Sequence, residues 1–262
     1  MSRTTITRIA RVPSLNSAPF FRGLSFGAAQ QSARHELIDC APRELGRRAA
    51  AGELLAGLLP LVDYFRLEDT FERLGPFGIA VRGRAQSVVL FSRKPIRQLQ
   101  GSVIAVTEET STSAVLLRLI LEQRYELRPS RYVRGNDEAA EALLLIGDAA
   151  LRFQQTNTQY PFEIDLAFEW WLWQHLPCVF AVWAIRHDAE PAEKKSIETA
   201  LSRSLAMNMP QLARIAEERS ASLGLPATAL QAYLARFLYR LSRLEEEGIA
   251  RFRELVTAHQ LL

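Results

Sequence analysis

Apolar and polar residues alternate over Thr5–Val12 (TITRIARV) with the period of a β-strand, and Pro13 forbids its simple continuation. A loop, Pro13–Pro19 (PSLNSAP), follows at once. It leads to a short apolar turn, Phe20–Leu24, then a Gly/Ala/Gln/Ser stretch and a second strand near Glu36–Cys40. Pro42 suits a first helical position, and the spacing predicts a helix over Arg43–Ala51. Leu54–Leu59, stopped by Pro60, reads as a third strand, and Phe77–Arg82 and Ser87–Ser92 (SVVLFS) supply two more. A second cycle starts after Lys94-Pro95. Strand Val103–Thr107 runs into a hydroxyl-rich cluster at 107–113 (TEETSTS), which has the composition of a helix start. The helix predicted next, Ala114–Tyr125, carries Val115, Leu116, Leu119 and Ile120 at helical spacing. Residues 142–146 (ALLLI) read as a strand buried on both faces, with a helix beginning at Gly147-Asp148. An aromatic amphipathic segment at 168–176 (FEWWLWQHL) precedes the last strong strand, Cys178–Arg186 (CVFAVWAIR). From Pro191 onward the pattern is helical throughout. Breaks fall near Asn208–Pro210, Gly224–Pro226 and around Gly248, and an apolar stripe runs through Leu230, Tyr233, Leu234, Phe237 and Leu238.

This is α/β patterning in two halves, joined where SVVLFS and CVFAVWAIR lie, with a helical tail. Two architectures satisfy it: a two-lobed binding fold with a ligand cleft, and one doubly wound sheet. Periodicity alone does not separate them.

Composition narrows the function more than the fold. At 262 residues the chain accommodates one large domain or two smaller lobes, and 48% apolar with 23% charged residues is a folding composition. The net charge of +3 comes from scattered basic residues, which does not imply nucleic acid and suits a small anionic ligand. Cys40 and Cys178 have neither metal-site nor disulfide spacing and read as buried thiols. The first fifteen residues hold no apolar run of the kind an export signal needs. No later stretch reaches the roughly 18 apolar residues of a membrane span. A cytoplasmic protein is expected. His35, His175, His187 and His259 are dispersed, so no metal site is expected; the absence of a glycine-rich phosphate loop or dinucleotide fingerprint predicts no ATP or NAD dependence.

Candidate chemistry concentrates at loops that follow strands, where open α/β sheets place ligand contacts. In the first loop Ser14, Asn16 and Ser17 either meet a ligand or merely cap the turn after Pro19. Thr107 and Thr110–Ser113 offer hydroxyls and a helix start to an anion, provided Glu108 and Glu109 face solvent. Ser87 has no neighbouring histidine and no nucleophile elbow, which leaves it a hydrogen-bonding role. Arg82 and Arg84 could add positive charge or lie solvated. Trp170, Trp171, Trp173 and Trp183 read as core or lobe interface.

In order and spacing, residues 11–19 (RVPSLNSAP), 78–93 (GIAVRGRAQSVVLFSR), 107–118 (TEETSTSAVLLR), 144–151 (LLIGDAAL) and 177–186 (PCVFAVWAIR) resemble the chorismate dehydratases of the futalosine route to menaquinone. The likeness extends through the tail, with Tyr233, Phe237, Gly248 and Phe252. It implies a two-lobed, type II periplasmic-binding-protein-like α/β fold whose C-terminal helical tail packs on the first lobe. The lobes would comprise 1–90 with 184–262, and 91–183. It also implies a reaction in which chorismate loses water to give 3-enolpyruvylbenzoate without metal or organic cofactor. By the same resemblance Asn16 and Ser87 are the catalytic residues. Ser14, Ser17, Arg82, Thr107, Thr110, Ser111, Thr112, Ser113, Gly147 and Asp148 would contact substrate. A sister family, the dihydroxynaphthoate synthases, places a histidine after the strand corresponding to 142–146, where this chain has Gly147-Asp148. Two departures stand out: Ser14 replaces the aromatic or basic residue usual before Leu-Asn, and the acidic residue common near Leu55 is absent. The partner expected is a small dicarboxylate, with the chain a monomer or homodimer. The competing readings are a solute-binding module for a small carboxylate and a paralogue acting on a related ring acid.

Overall fold

Both predicted cycles of strand and helix are realised, as two β-sheets that exchange a strand: Val88–Ser92 of the first cycle joins the second sheet, and Cys178–Arg186 of the second joins the first. The computed structural model describes residues 5–26, 33–108, 110–135 and 137–262; Met1–Thr4, the Gly27–Ser32 stretch, Glu109 of the hydroxyl-rich cluster and Asn136 lie outside the described residues. The strands are β1 (Thr5–Arg11), β2 (Ala33–Asp39), β3 (Ala56–Pro60), β4 (Phe71–Val81), β5 (Val88–Ser92), β6 (Val103–Val106), β7 (Arg131–Arg134), β8 (Ala142–Ile146), β9 (Phe162–Asp165), β10 (Cys178–Arg186) and β11 (Phe237–Arg240). The helices are α1 (Ala18–Phe21), α2 (Pro42–Ala50), α3 (Leu61–Arg66), α4 (Thr112–Leu119, continued by a π-type turn to Arg124), α5 (Gly147–Thr156), α6 (Leu166–Gln174), α7 (Pro191–Asn208), α8 (Leu212–Leu223), α9 (Ala227–Leu234) and α10 (Arg243–Ala258).

One sheet has the order β11-β4-β10-β3-β1-β2 and the other β7-β6-β8-β5-β9. Within the first, β1 runs parallel to β2 and β3, while β10 is antiparallel to both β3 and β4. Within the second, β6 is parallel to β7 and β8, and β5 is antiparallel to β8 and β9. Two sheets rather than one doubly wound sheet resolve the alternative that periodicity left open. The lobe boundaries expected at 90/91 and 183/184 fall inside β5 and β10. Each of those strands belongs wholly to one sheet, and the chain passes between sheets in the segments just before them.

The tail departs from the all-helical expectation at β11, which pairs antiparallel with β4 through Phe237↔Val81 and Leu238↔Ala80. Leu230, Tyr233, Leu234, Phe237 and Leu238 have helical spacing, yet the chain leaves the helix after Leu234 and completes the edge of the first sheet. An open strand edge offers a row of unpaired amides and carbonyls, and pairing it outweighs local propensity. Three further elements escape the pattern. Pro60, read as a stop, is the entrance to α3, and the short strands β7 and β9 sit at sheet edges with partly exposed side chains.

Aromatic packing fixes the tail to the first sheet. Phe20 meets Trp183, Phe77 and Tyr239 edge to face at ring separations of 5.8, 6.2 and 5.5 Å. Trp170 on α6 meets Phe252 on α10 at 5.6 Å, so the last helix also touches the second lobe. Trp170 and Trp183 are core residues, and both cysteines are buried and unpaired.

Gly248 is not the break its residue type suggests; it lies inside α10. A Cβ there would stand 2.4 Å from the carbonyl oxygen of Pro177, the same oxygen that accepts the Trp170 Nε1–H at 3.2 Å. Gly248→Ala is therefore expected to destabilise the fold by about 1–3 kcal/mol, read as a lowered midpoint in urea unfolding. A midpoint equal to that of the wild type would show that α10 can move away from Pro177.

Candidate active site

The first loop leaves β1 as a polar turn because Pro13 ends the strand and small hydroxyl residues then close on the backbone. Ser17 Oγ donates to the carbonyls of Val12 and Ser14, the latter at 2.8 Å, and Leu15–Ser17 form one 3-10 turn. Ser14 Oγ donates to Asn16 Oδ1 at 2.6 Å, which orients the amide. Among the described residues nothing accepts from Asn16 Nδ2, so its two N–H donors are unspent.

This loop faces a cavity of about 360 Å³ between the two sheets, within the range of roughly 300–1,000 Å³ that holds small ligands. Ser14, Asn16 and Ser17 line one side, and Thr110–Ser113 line another. Gly147 and Asp148, at the start of α5, line a third, with Leu58, Pro60, Ile79, Val88, Ile146 and Phe180 supplying apolar wall. Gly147 holds φ +57°, a left-handed conformation that costs glycine little, and it lets the chain turn from β8 into α5 against Ser14.

Much of the polar lining is already spent on joining the lobes. Ser111 Oγ donates to Asp63 Oδ2 at 2.6 Å, and Val62 N–H donates to Thr112 Oγ1 at 3.2 Å, both from α4 of one lobe to α3 of the other. Burial pushes the Asp63 carboxyl up, with Ser111 and Arg66 opposing the shift. Thr110 Oγ1 accepts from Ser113 N–H at 3.2 Å. The Ser113 hydroxyl has no partner among the described residues, and Thr110 and Thr112 only accept, so the O–H donors of all three remain for a ligand while that of Ser111 is spent on Asp63. Asp148 Oδ1 accepts from Leu15 N–H at 2.9 Å and Oδ2 from Arg219 Nη2 at 2.6 Å, which ties the first loop, α5 and α8 together.

The chemistry this surface can perform is set by neutral donors and one cation, Arg152, around an apolar floor. Its lining contains no histidine, lysine, glutamate or tyrosine, and the carboxylate of Asp148 is occupied on both oxygens. A family model of menaquinone biosynthesis proteins matches residues 7–258. The chain belongs to the menaquinone biosynthesis family. A chorismate dehydratase of Thermus thermophilus is 32% identical over 240 residues, covering 83% of this chain and 85% of that relative. In fold, this menaquinone biosynthesis protein is similar to a crystal structure from Archaeoglobus fulgidus. There the TM-score is 0.79 at 21% identity, over 99% of this chain and 100% of the other. It is also similar to the alkanesulfonate-binding protein of Xanthomonas axonopodis pv. citri bound to MOPS, with a TM-score of 0.71 at 13% identity, over 98% and 94% of the two chains. The fold is that of periplasmic binding proteins, as expected.

Within the menaquinone biosynthesis protein, nine of the twelve residues expected at the site line the cavity: Ser14, Asn16, Ser17, Thr110–Ser113, Gly147 and Asp148. Three do not. Arg82 is drawn away by Glu245, which it meets at 2.9 Å and which is itself buried in the capping box of α10. Thr107 follows β6 with its amide bonded to the Leu144 carbonyl, and it is not part of the lining. Ser87 is buried behind Val88 and Gly147, both of which line the cavity: its carbonyl accepts from Gly147 N–H at 2.7 Å and its Oγ accepts from Tyr233 at 2.8 Å. Burial pushes the Tyr233 phenol up, so it stays a donor. Arg84 stacks over Phe168 at 4.1 Å and serves α6.

Sequence reasoning missed Arg152, Asp63 and Tyr233. Arg152 had a readable signal, since a helix that opens on the cleft at Gly147 presents the residue one turn after Asp148 to the same side. Asp63 and Tyr233 had none, being 48 and 146 residues from the serines they bind.

Proposed function

We propose that the protein is a chorismate dehydratase, a hydro-lyase that converts chorismate to 3-enolpyruvylbenzoate and water. The observation that carries this is a cavity between the sheets whose unspent donors are the Asn16 amide, the hydroxyls of Thr110, Thr112 and Ser113 and the Arg152 guanidinium, and whose lining offers no free base. Chorismate needs little more. The ring carbon bearing the enol ether gives up its proton, the electron pair enters the ring, and the neighbouring carbon–oxygen bond breaks. The hydroxyl departs with a proton as water and leaves an aromatic ring. The lining's unengaged charged group, Arg152, is a donor with no acceptor and its one carboxylate, Asp148, is occupied, so the enolpyruvyl carboxylate of the substrate is the base, and the protein's task is to hold the dianion in reactive geometry and exclude water.

In this reading Asn16 donates to the departing hydroxyl, and Ser113 with the start of α4 receives a carboxylate. Ser87 acts from beneath. A substrate oxygen settling between Val88 and Gly147 takes the serine proton, because Tyr233 donates into Oγ and leaves that proton unused. A cytoplasmic location belongs to the same proposal; no helix among the described residues is long and apolar enough to cross a membrane.

Incubating the purified protein with chorismate and identifying the product by mass spectrometry is the direct test. 3-Enolpyruvylbenzoate is expected, and its rate of formation should scale with enzyme concentration. The likeness to the sulfonate-binding protein favours a second reading, a non-catalytic binder of anions. A binder would raise its own melting temperature with chorismate and leave the chorismate intact.

A further inference from the structure

The residues that line the cavity include two charged side chains, Asp148 and Arg152. They stand four apart on α5, the spacing at which an acidic and a basic residue normally pair along a helix. They do not pair. Asp148 is claimed by Leu15 N–H on one oxygen and by Arg219 on the other, and Arg152 makes no hydrogen bond or ion pair among the described residues. The guanidinium is exposed at the cavity rather than sealed in it. Arg219 thus neutralises the lining's acid, and the cavity keeps one uncompensated positive charge.

We infer that Arg152 is the specificity-determining anchor for the second carboxylate of a dicarboxylate ligand, gripping it with the guanidinium fork while Ser113 and the start of α4 receive the first. This deepens the chorismate reading and rests on it for the identity of the ligand. A planar fork matches a carboxylate through two parallel N–H···O contacts, which a neutral amide cannot reproduce. Its place on α5, one turn beyond Asp148 in the cavity lining, makes it a group that holds substrate. The enolpyruvyl carboxylate takes the proton while the ring carboxylate keeps its charge in ground state and transition state alike, so the ring carboxylate is the one Arg152 holds, and the contact lowers KM without setting kcat. Exposure to solvent limits its worth to about tenfold in affinity.

Arg152→Gln is expected to raise KM for chorismate about tenfold with kcat changed less than about threefold, and Arg152→Lys to recover part of the loss. Raising the ionic strength should weaken KM in the wild type more steeply than in Arg152→Gln. An unchanged KM in Arg152→Gln, or a fall in kcat at constant KM, overturns the inference while wild-type turnover leaves the enzyme assignment intact. A binding readout separates the two failures. Isophthalate, with two ring carboxylates, should raise the melting temperature of the wild type more than benzoate does, and Arg152→Gln should erase that difference. If the wild type leaves chorismate unchanged yet the isophthalate preference depends on Arg152, the reaction assignment falls and the anchor stands. If the preference survives in Arg152→Gln, the anchor falls.

Discussion

Asn16→Ala is expected to lower kcat on chorismate roughly 100-fold or more, the loss typical of removing one donor aimed at charge that develops during reaction. Its effect on stability should stay within about 0.5 kcal/mol, because the turn that carries it is held by other groups. Ser17 bonds Val12 and Ser14, and Leu15 N–H bonds Asp148, none of which passes through the Asn16 side chain. Ser14 loses its acceptor in the variant but is only partly buried, so water can replace it. Asn16→Asp is the sharper companion. It keeps the shape and the acceptor for Ser14, deletes both N–H donors and sets a negative charge against a dianion, so turnover should fall at least as far as in the alanine variant. Steady-state kinetics with urea unfolding on the same samples decides the matter. A variant at position 16 that turns over at the wild-type rate would remove Asn16 from the reaction.

Ser87→Ala should lose both activity and stability, and the two losses can be separated. The substitution strands the buried Tyr233 hydroxyl without an acceptor, a cost of about 1–3 kcal/mol. Adding Tyr233→Phe removes the stranded donor, so the double variant should recover most of that stability. Turnover should stay roughly 100-fold down in both, because the serine proton is still missing. Tyr233→Phe alone retains that proton and should keep most of its activity. Recovery of wild-type turnover in the double variant would mean that Ser87 matters only for packing, and its place in the mechanism would be lost.

What the sequence makes legible follows from the range over which each feature is encoded. The strands and helices that flank the site are written in local periodicity, and loops after strands are where ligands meet open sheets, so Asn16 and the Thr110–Ser113 cluster are found from the residues, whereas Gly147 and Asp148 enter as contacts only through the family resemblance. How those groups are spent is encoded elsewhere. Ser111 reads as a ligand donor until Asp63 of α3 takes its proton, and Asp148 reads as a ligand contact until Leu15 and Arg219 occupy it. Arg82 misleads for the same reason, its partner Glu245 being 163 residues away. The strand at Phe237–Arg240 is illegible because its spacing satisfies a helix, and only the vacant side of β4 selects the extended form.

That last strand has a consequence for how the molecule is made. The sheet β7-β6-β8-β5-β9 draws all its strands from the unbroken stretch Val88–Asp165, so it can be finished while synthesis continues. The other sheet must wait for Phe237–Arg240, which follow the whole of the second sheet in the chain, and until then β4 carries a bare flank that any stray extended peptide could occupy. Nascent chains halted before Phe237 should therefore carry one mature lobe beside one adhesive one, because the ribosome delivers the protective piece only after the other lobe is made.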